Sequence, residues 1–481
     1  MNLQLVCIGL FYALILIAGL WAARAGRSAA SFEGMLLADR RMPLWVGAFT
    51  MTATWVGGAY INGTAEAVYD PRLGLVWAQA PWCYALSLML GGTVFAVRMR
   101  RTGATTLLDP FSQRYGKRVT ALLGIPALIG EVFWAAAILT ALGTTFGTLL
   151  NIDFETSILI SAGVALLYTV AGGLWSVSCT DVIQLSLIAI GLGIAVPFSV
   201  AAVGGSQRLC EAYVSQMPQF PQGTAIWQWL DMALLLILGG IPWQVYFQRV
   251  LASRDDRTAV RLSLVAGIGC LLLACPAVIL GAVGAVATWP EGTAAPQAAL
   301  VLPAVLQHLT HPAVATIGLA AVTAAVMSSV DSSFLSAASL LTQNVYRPLL
   351  RPQAGDAELR SALRGNVLLV GGLATWLALA TQSVYALWYL CSDLVYVILF
   401  PQLTMVLFCK WTTSRGAICG FVVGLFLRLG GGEPTLGLAA FLDYPLQTPD
   451  GCQFPFRSVA MLSGLATIAG VSWLDKARRS G

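Results

Sequence analysis

Charged residues are scarce in this chain. Only 10% of its 481 residues are charged while 58% are hydrophobic, and a soluble domain carries about a quarter charged residues. A surface so poor in charge faces lipid and not water. The apolar stretches recur every few tens of residues, and many reach the roughly 20 residues that a helix needs to cross a bilayer. We therefore predict an all-α integral membrane protein with a single domain over residues 1–481.

Signatures of several other protein classes are missing as well. The two histidines and ten cysteines include no CxxC pair, which disfavours a zinc or redox site. Neither a nucleophile elbow nor an HExxH motif occurs, so we do not predict an enzyme. The net charge of +5 comes from short basic clusters without a continuous stripe, which argues against a nucleic-acid partner. Cys210 and Cys452 both fall in loops predicted to lie outside, where a disulfide and two free thiols remain alternatives.

The basic residues indicate how the apolar segments are threaded through the bilayer. Lys and Arg accumulate in the loops that follow odd-numbered segments, and such loops are cytoplasmic in membrane proteins. Arg72, Arg208, Arg428 and Arg457 are the exceptions. The pattern places the N-terminus outside and the C-terminus inside. We predict about thirteen segments, near residues 3–23, 43–66, 74–97, 120–149, 156–176, 182–203, 227–249, 260–288, 300–345, 365–381, 385–409, 416–430 and 457–475.

Two of these segments are interrupted at comparable places. Gly57-Gly58 interrupts the second, and Gly239-Gly240 with Pro242 interrupts the seventh. Free backbone groups in a membrane are tolerated where they face a cavity or ligand, which predicts a binding site and inverted repeats. The alternative is that the glycines only allow close helix packing. The predicted units are an extra N-terminal helix at 3–23, inverted five-helix repeats at 43–203 and 227–409, and two C-terminal helices within 416–475.

Residues around these interruptions form runs that resemble the sodium/solute symporter family, in its choline branch. The resemblance implies a LeuT-like fold in a multi-pass protein of the plasma membrane. It also implies uptake of choline by alternating access, coupled to Na+ and dependent on Cl-, although no residue set locates the chloride. The runs that carry the resemblance are 50–69, 77–81, 108–111, 131–137, 239–250, 325–333 and 387–396.

The implied substrate has a trimethylammonium group, which cannot donate an N–H hydrogen bond. Aromatic faces attract such a cation through their negative potential. Trp55 and Trp243 adjoin the two interruptions, Trp134 lies in the fourth segment and Tyr84 in the third. By resemblance we expect these four side chains to form a choline cage. For any single tryptophan, packing or an interfacial position is the alternative.

Sodium prefers oxygen ligands, which an unwound helix and serine hydroxyls can supply. By resemblance, the ligands are in Ala53, Val56, Ala325, Ser328 and Ser329. Interhelical hydrogen bonding is the alternative role for this serine pair.

A second cation site in some relatives corresponds to Asp181, Asp331 and Ser332. An acidic residue within a membrane suggests function because burying it is costly. The alternative for Asp181 is that it caps a helix starting near Val182.

Asp231 and Glu433 are further acidic candidates near apolar segments. Asp231 could attract cations at the outer mouth, or be a solvated carboxylate at a helix start. Three functions stay in contention: sodium-coupled choline transport, a symporter of the same fold for another small solute, and a choline-binding sensor or channel. A homo-oligomer is also left open.

Overall fold

The computed structural model describes residues 3–25, 30–150, 152–290, 295–380, 391–433, 437–448 and 451–480. The described chain is almost entirely helical, with one two-stranded antiparallel sheet. The first nine helices are α1 (Leu3–Ala25), α2 (Phe32–Leu37), α3 (Leu44–Trp55), α4 (Gly58–Tyr69), α5 (Gly74–Trp77), α6 (Ala80–Leu90), α7 (Val97–Arg101), α8 (Asp109–Tyr115) and α9 (Lys117–Leu150). The next eight are α10 (Phe154–Ala202), α11 (Ser206–Gln216), α12 (Ala225–Gly239), α13 (Gln244–Ala252), α14 (Asp256–Val286), α15 (Val301–Leu309), α16 (Pro312–Leu340) and α17 (Asp356–Ala380). They are followed by helices Phe400–Phe408, Ser414–Gly430 and Phe456–Ser480, and by strands Gln447–Thr448 and Gly451–Cys452.

Within the described ranges, nine helices are long and apolar enough to cross a membrane. One of them, α10, has 49 residues and combines the predicted fifth and sixth segments. The predicted second segment is split into α3 and α4, of 12 residues each. The predicted twelfth is a 17-residue helix, Ser414–Gly430. The structure therefore supports a many-spanning membrane protein, while the count of thirteen and the threading remain predictions.

The turn between the fifth and sixth predicted segments lies earlier than the sequence indicated. We expected a loop around Cys179, but residues 177–181 are helical and the chain turns at Gly173, with φ 57° and ψ −147°. Only glycine adopts this conformation readily. A Cβ there would also lie 2.4 Å from the carbonyl oxygen of Met35. The expected boundary was wrong because the apolar character continues across the turn.

The ninth predicted segment, 300–345, is not one continuous helix. The short helix α15 ends at Leu309, and α16 starts afresh at Pro312. Proline lacks a backbone N–H, so it fits the first turn of a helix but interrupts one in its interior. A π-helical stretch, Leu341–Leu350, continues α16.

Both predicted interruptions are present. α3 ends at Trp55, and Val56 and Gly57 have non-helical ψ angles of 51° and −178° before α4 begins. α12 ends at Gly239, and α13 begins after an extended Trp243. Because Pro242 has no N–H to donate, the helical ladder cannot continue through it. The breaks expose backbone groups inside the helical bundle.

Gly57 allows α3 and α4 to lie close against α16, which leads to a stability prediction. A Cβ at Gly57 would lie 1.9 Å from the Ser329 Oγ, whereas one at Gly63 would meet nothing within 4 Å. We expect Gly57→Ala to lower the stability by about 1–3 kcal/mol, the usual cost of overpacking. Gly63→Ala is the matched control and should be neutral or slightly stabilising. Equal thermal unfolding midpoints for the two variants in detergent would contradict this account.

Several exceptions to the basic-residue pattern are paired with carboxylates. Arg428 lies 2.5 Å from Asp393 and 2.6 Å from Glu433, and all three side chains are buried. Arg457 bridges Asp393 at 2.9 Å and Asp231 at 3.6 Å. Buried charges of this kind need partners. These arginines therefore compensate nearby acids and do not report topology.

The same network corrects the interpretation of Asp231 and Glu433. Asp231 is 1% exposed and accepts a hydrogen bond from the Ser458 backbone N–H at 2.7 Å, so it is not a solvated carboxylate. Glu433 is 6% exposed and bonded to Arg428. Both acids are therefore paired with arginine, and Asp231 joins α12 to the start of the helix Phe456–Ser480.

Candidate functional site

The four expected cage residues line one cavity. Trp55 is the last residue of α3, Tyr84 belongs to α6, Trp134 to α9, and Trp243 precedes α13. The cavity has a volume of about 40 Å³, and a single buried water needs about 10–15 Å³. It is lined by Trp55, Gly57, Ala59, Tyr60, Tyr84, Trp134, Ile138, Gly240, Trp243, Val245, Ser329 and Ser392.

Trp134 of α9 and Trp243 at the second helix break contact each other. The Trp134 and Trp243 ring centroids are 5.6 Å apart with planes at 66°, which is a favourable edge-to-face arrangement. The Trp243 Nε1–H donates to the Gly239 carbonyl at 2.8 Å, a group that the end of α12 leaves without a helical partner. The broken helix thus orients its own tryptophan.

Tyrosines complete the aromatic lining. The Tyr84 hydroxyl hydrogen-bonds the Ser392 side chain, and the Tyr60 ring lies 6.3 Å from the Tyr84 ring. The Tyr60 hydroxyl donates to the Cys270 carbonyl at 2.8 Å, on α14. Tyr60 belongs to a run that carried the resemblance, but sequence reasoning gave it no role. Its position in the half-helix after the first break could have predicted that Tyr60 lines the cavity.

The polar groups in the cavity are few. Among its described lining residues, the polar side chains are hydroxyls and indoles, with no carboxylate or amide. Gln244, the one amide beside the second break, instead accepts a hydrogen bond from the Leu107 N–H at 2.7 Å. This lining can attract a diffuse positive charge, and it lacks the amide and carboxylate partners that sugar hydroxyls favour. Residues 387–390 of the motif at 387–396 lie outside the described residues.

The expected sodium ligands also lie together. The Ser328 hydroxyl donates to the carbonyl oxygens of Ala53 at 3.0 Å and Ala325 at 3.1 Å. The Ser329 hydroxyl donates to the Thr54 carbonyl at 3.0 Å. We also expected Val56 in this set; it follows α3 directly, and its N–H donates to the Thr52 carbonyl at 2.8 Å.

This cluster has the chemistry that a sodium ion requires. Hydroxyl and carbonyl oxygens are hard neutral ligands, and the C-terminal end of α3 adds the negative pole of a helix dipole. Ser328 bonds two of the carbonyls that we expect to hold the ion, those of Ala53 and Ala325, so a sodium ion would replace these hydrogen bonds. Interhelical bonding and sodium binding are therefore compatible roles for the same serines.

The residues of the expected second cation site form a fully buried cluster that also contains an arginine. Arg249 Nη2 lies 2.5 Å from the Ser332 Oγ and 3.6 Å from the Asp181 Oδ2. Asp331 accepts a hydrogen bond from the Tyr168 hydroxyl at 2.5 Å. The positive group beside Asp181 in this structure is thus a guanidinium, which sequence spacing did not reveal.

The helix-cap alternative for Asp181 is wrong. The residue lies inside α10, eight positions beyond the turn at Gly173, with its side chain fully buried. It accepts a hydrogen bond from the Thr50 hydroxyl and contacts Arg249.

Cys210 and Cys452 are both free thiols. Among the described residues, no group of three histidines, cysteines or acids could hold a metal ion.

The helical fold with aromatic and oxygen-rich sites at two broken helices is that of a membrane transporter. It superimposes on a solved Na+-coupled sialic acid symporter, captured in a substrate-bound outward-open state, with a TM-score of 0.82. That match covers 98% of both chains at 15% sequence identity, so it shows the fold alone.

The protein belongs to the sodium:solute symporter family, whose model matches residues 35–424. It is 48% identical to the human high affinity choline transporter 1 over 98% of this chain and 85% of that protein. It is 47% identical to the Caenorhabditis elegans high-affinity choline transporter 1, again over 98% of this chain and 85% of that protein. A Vibrio parahaemolyticus sodium/glucose cotransporter is 25% identical over 88% of the chain. These relatives are transporters and not enzymes, and the family agrees with a multi-pass protein of the plasma membrane.

Proposed function

We propose that the protein takes up choline across the plasma membrane by coupling its entry to sodium. The observation that carries this proposal is the cavity at the two helix breaks, where five aromatic side chains meet and Ser329 of α16 lies alongside. The names of relatives that are 48% identical over nearly the whole chain point to the same substrate. In this proposal Trp55, Tyr84, Trp134 and Trp243 hold the trimethylammonium group.

The energetics suit such a cage. A cation over an aromatic face gains about 0.5–2 kcal/mol per ring, so four rings contribute about 2–8 kcal/mol. Micromolar binding corresponds to about 8 kcal/mol after association costs are met, so burial of the apolar methyl groups supplies the remainder. The sum is an upper bound because the ring contributions are not additive. An inside-negative potential adds about 2.3 kcal/mol per 100 mV for choline, and the same for each sodium that accompanies it.

Sodium in this proposal binds among Ala53, Val56, Ala325, Ser328 and Ser329. The ion would join the end of α3 to α16, which stabilises the cavity wall before choline enters. Linkage then requires that sodium raises the affinity for choline and that choline raises the affinity for sodium. Asp181, Asp331 and Ser332 would form a second cation site only if Arg249 gave up its place beside them.

In the proposed alternating access, the contacts between the start of α3 and the end of α13 close one end of the pathway in this state. The Met42 N–H donates to the Ala252 carbonyl at 3.0 Å, joining the start of α3 to the end of α13. Arg100 adds a second tie, since its side chain donates to the Val250 carbonyl and lies 2.9 Å from Asp256. We propose that this is the cytoplasmic end, with inverted repeats that rock about the cavity and the N-terminus outside. Chloride dependence belongs to the same proposal.

Uptake of radiolabelled choline by cells that express the protein tests the substrate and the ion together. We expect saturable uptake that disappears when potassium replaces external sodium, and that falls when chloride is replaced by gluconate. Excess unlabelled choline should compete, whereas glucose and proline should not. Competition by glucose or proline, or choline uptake equal to that of vector-only cells, would overturn the choline assignment.

A further inference from the structure

A buried carboxylate next to the cavity has no role in the function described so far. Glu131 lies in α9, is 1% exposed, and precedes Trp134 by three residues. The Ser336 hydroxyl donates to its Oε1 at 2.6 Å, and the Ser333 hydroxyl lies 3.3 Å from its Oε2. Ser333 also donates to the Glu131 backbone carbonyl at 2.7 Å. α16 thus holds both the side chain and the backbone of this residue.

The same carboxylate reaches the second broken helix. The backbone of Val245, in the first turn of α13, also faces the Glu131 side chain. N–H groups in the first turn of a helix lack helical partners, and a negative charge there is favoured by the helix dipole. Val245 lines the cavity and is two residues from Trp243. Glu131 therefore lies against the half-helix that positions one cage tryptophan, while its own helix carries another.

The serines that hold Glu131 share a helix face with a candidate sodium ligand. Ser333 and Ser336 follow Ser329 by four and seven residues, and residues at these spacings lie on one side of an α-helix. A shift or rotation of α16 that accompanies sodium binding at Ser329 would therefore move the two donors to Glu131. The contacts form a continuous path from the sodium ligands to Trp134 and Trp243.

We propose that Glu131 is the positioning residue that transmits sodium occupancy to the choline cage. This inference rests on the proposed function. Sodium fixes α16 against α3, and Ser333 and Ser336 then hold the carboxylate. The carboxylate fixes α9 and the start of α13, so that the Trp134 and Trp243 rings are in place when choline arrives. A side chain that only filled space would not couple sodium binding to choline binding.

Two variants break this path without touching the cage or the sodium ligands. Glu131→Gln replaces one acceptor oxygen by a donor, although the site presents donors from Ser333 and Ser336. Ser336→Ala removes one donor and leaves Glu131 itself intact. Thr323→Val is the matched control, because Thr323 is a buried hydroxyl of α16 that donates to the Leu319 carbonyl of its own helix at 2.9 Å.

The measurement is the KM for choline at low and at high sodium, together with the amount of protein at the cell surface. In the parent protein and in Thr323→Val, we expect the KM to fall as sodium rises. In Glu131→Gln and Ser336→Ala this sodium dependence should weaken by about fivefold or more, the lower end of typical coupling between sites. The double variant should be no worse than the more affected single variant, because both changes break one path.

The outcomes separate this inference from the proposed function. If both variants keep the parent dependence of KM on sodium and lose only surface protein or maximal rate, Glu131 is merely structural and the inference is overturned. If the parent protein itself shows no sodium-dependent choline uptake, the proposed function fails first. If Ser336→Ala reaches the cell surface in the normal amount and its KM for choline depends less on sodium, the inference is supported even if Glu131→Gln does not fold.

Discussion

Replacing Trp243 by alanine should abolish choline uptake at micromolar concentrations while the protein still inserts into the membrane. The ring lines the cavity beside the second helix break and packs edge-to-face on Trp134. Its loss removes a cation–π contact of about 0.5–2 kcal/mol and also opens the wall that keeps water from the cation. Trp55→Ala, at the first break, should have the same effect. Concentration-dependent uptake, normalised to surface protein, measures the loss.

The control for both variants is a tryptophan outside the cavity. Trp376, in α17, is 66% exposed, and Trp376→Ala should leave the KM for choline unchanged. Trp243→Phe keeps an aromatic face but loses the Nε1–H bond to Gly239, so it should retain part of the uptake. Near-normal uptake in both Trp55→Ala and Trp243→Ala would rule out the aromatic cage.

Removal of the α16 serine hydroxyls should have the second-largest effect, on sodium. We expect Ser328→Ala to raise the sodium concentration for half-maximal uptake by about tenfold, since contacts to a charged group contribute about 1.5–3 kcal/mol. Ser329→Ala should act similarly, because its hydroxyl contacts the end of α3 at the same place. The measurement is choline uptake over a series of sodium concentrations at constant ionic strength.

Ser186→Ala is the matched control for the serine variants. Ser186 is half-buried in α10, and its hydroxyl donates to the Val182 carbonyl of its own helix at 2.8 Å. We expect the parent sodium dependence in this variant. Unchanged sodium dependence in Ser328→Ala and Ser329→Ala would remove these residues from the ion site and leave them with the role of bonding α16 to α3.

The sequence predicted the broken helices well because glycine and proline act locally. Glycine pairs and proline weaken the helical ladder where they stand, and Gly57-Gly58 and Gly239-Gly240 with Pro242 fall at comparable places in two segments, so they could be interpreted without knowing the fold. The aromatic residues beside them were therefore expected at a site, and the structure brings all four to one cavity. Their role in binding choline remains a proposal.

Features that depend on distant partners were not predictable in the same way. Asp231 was a candidate to attract cations because nothing in the sequence shows that Arg457 meets it from a distant helix. The same holds for Arg249, which α13 places beside Asp181, 68 residues earlier in the chain. Glu131 did carry a signal, since an acid within an apolar segment is costly. Only its hydrogen bonds to α16 and its position against α13 indicate what it does.

Accumulation of choline in proteoliposomes tests the central claim most directly. The voltage is held near zero with valinomycin and equal potassium on both sides, so that only an inward sodium gradient can drive uptake. The account predicts that labelled choline rises transiently above its external concentration, and that an ionophore which dissipates the sodium gradient abolishes this overshoot. Choline that only equilibrates, to the same final level with or without the sodium gradient, would contradict coupled transport and indicate a channel.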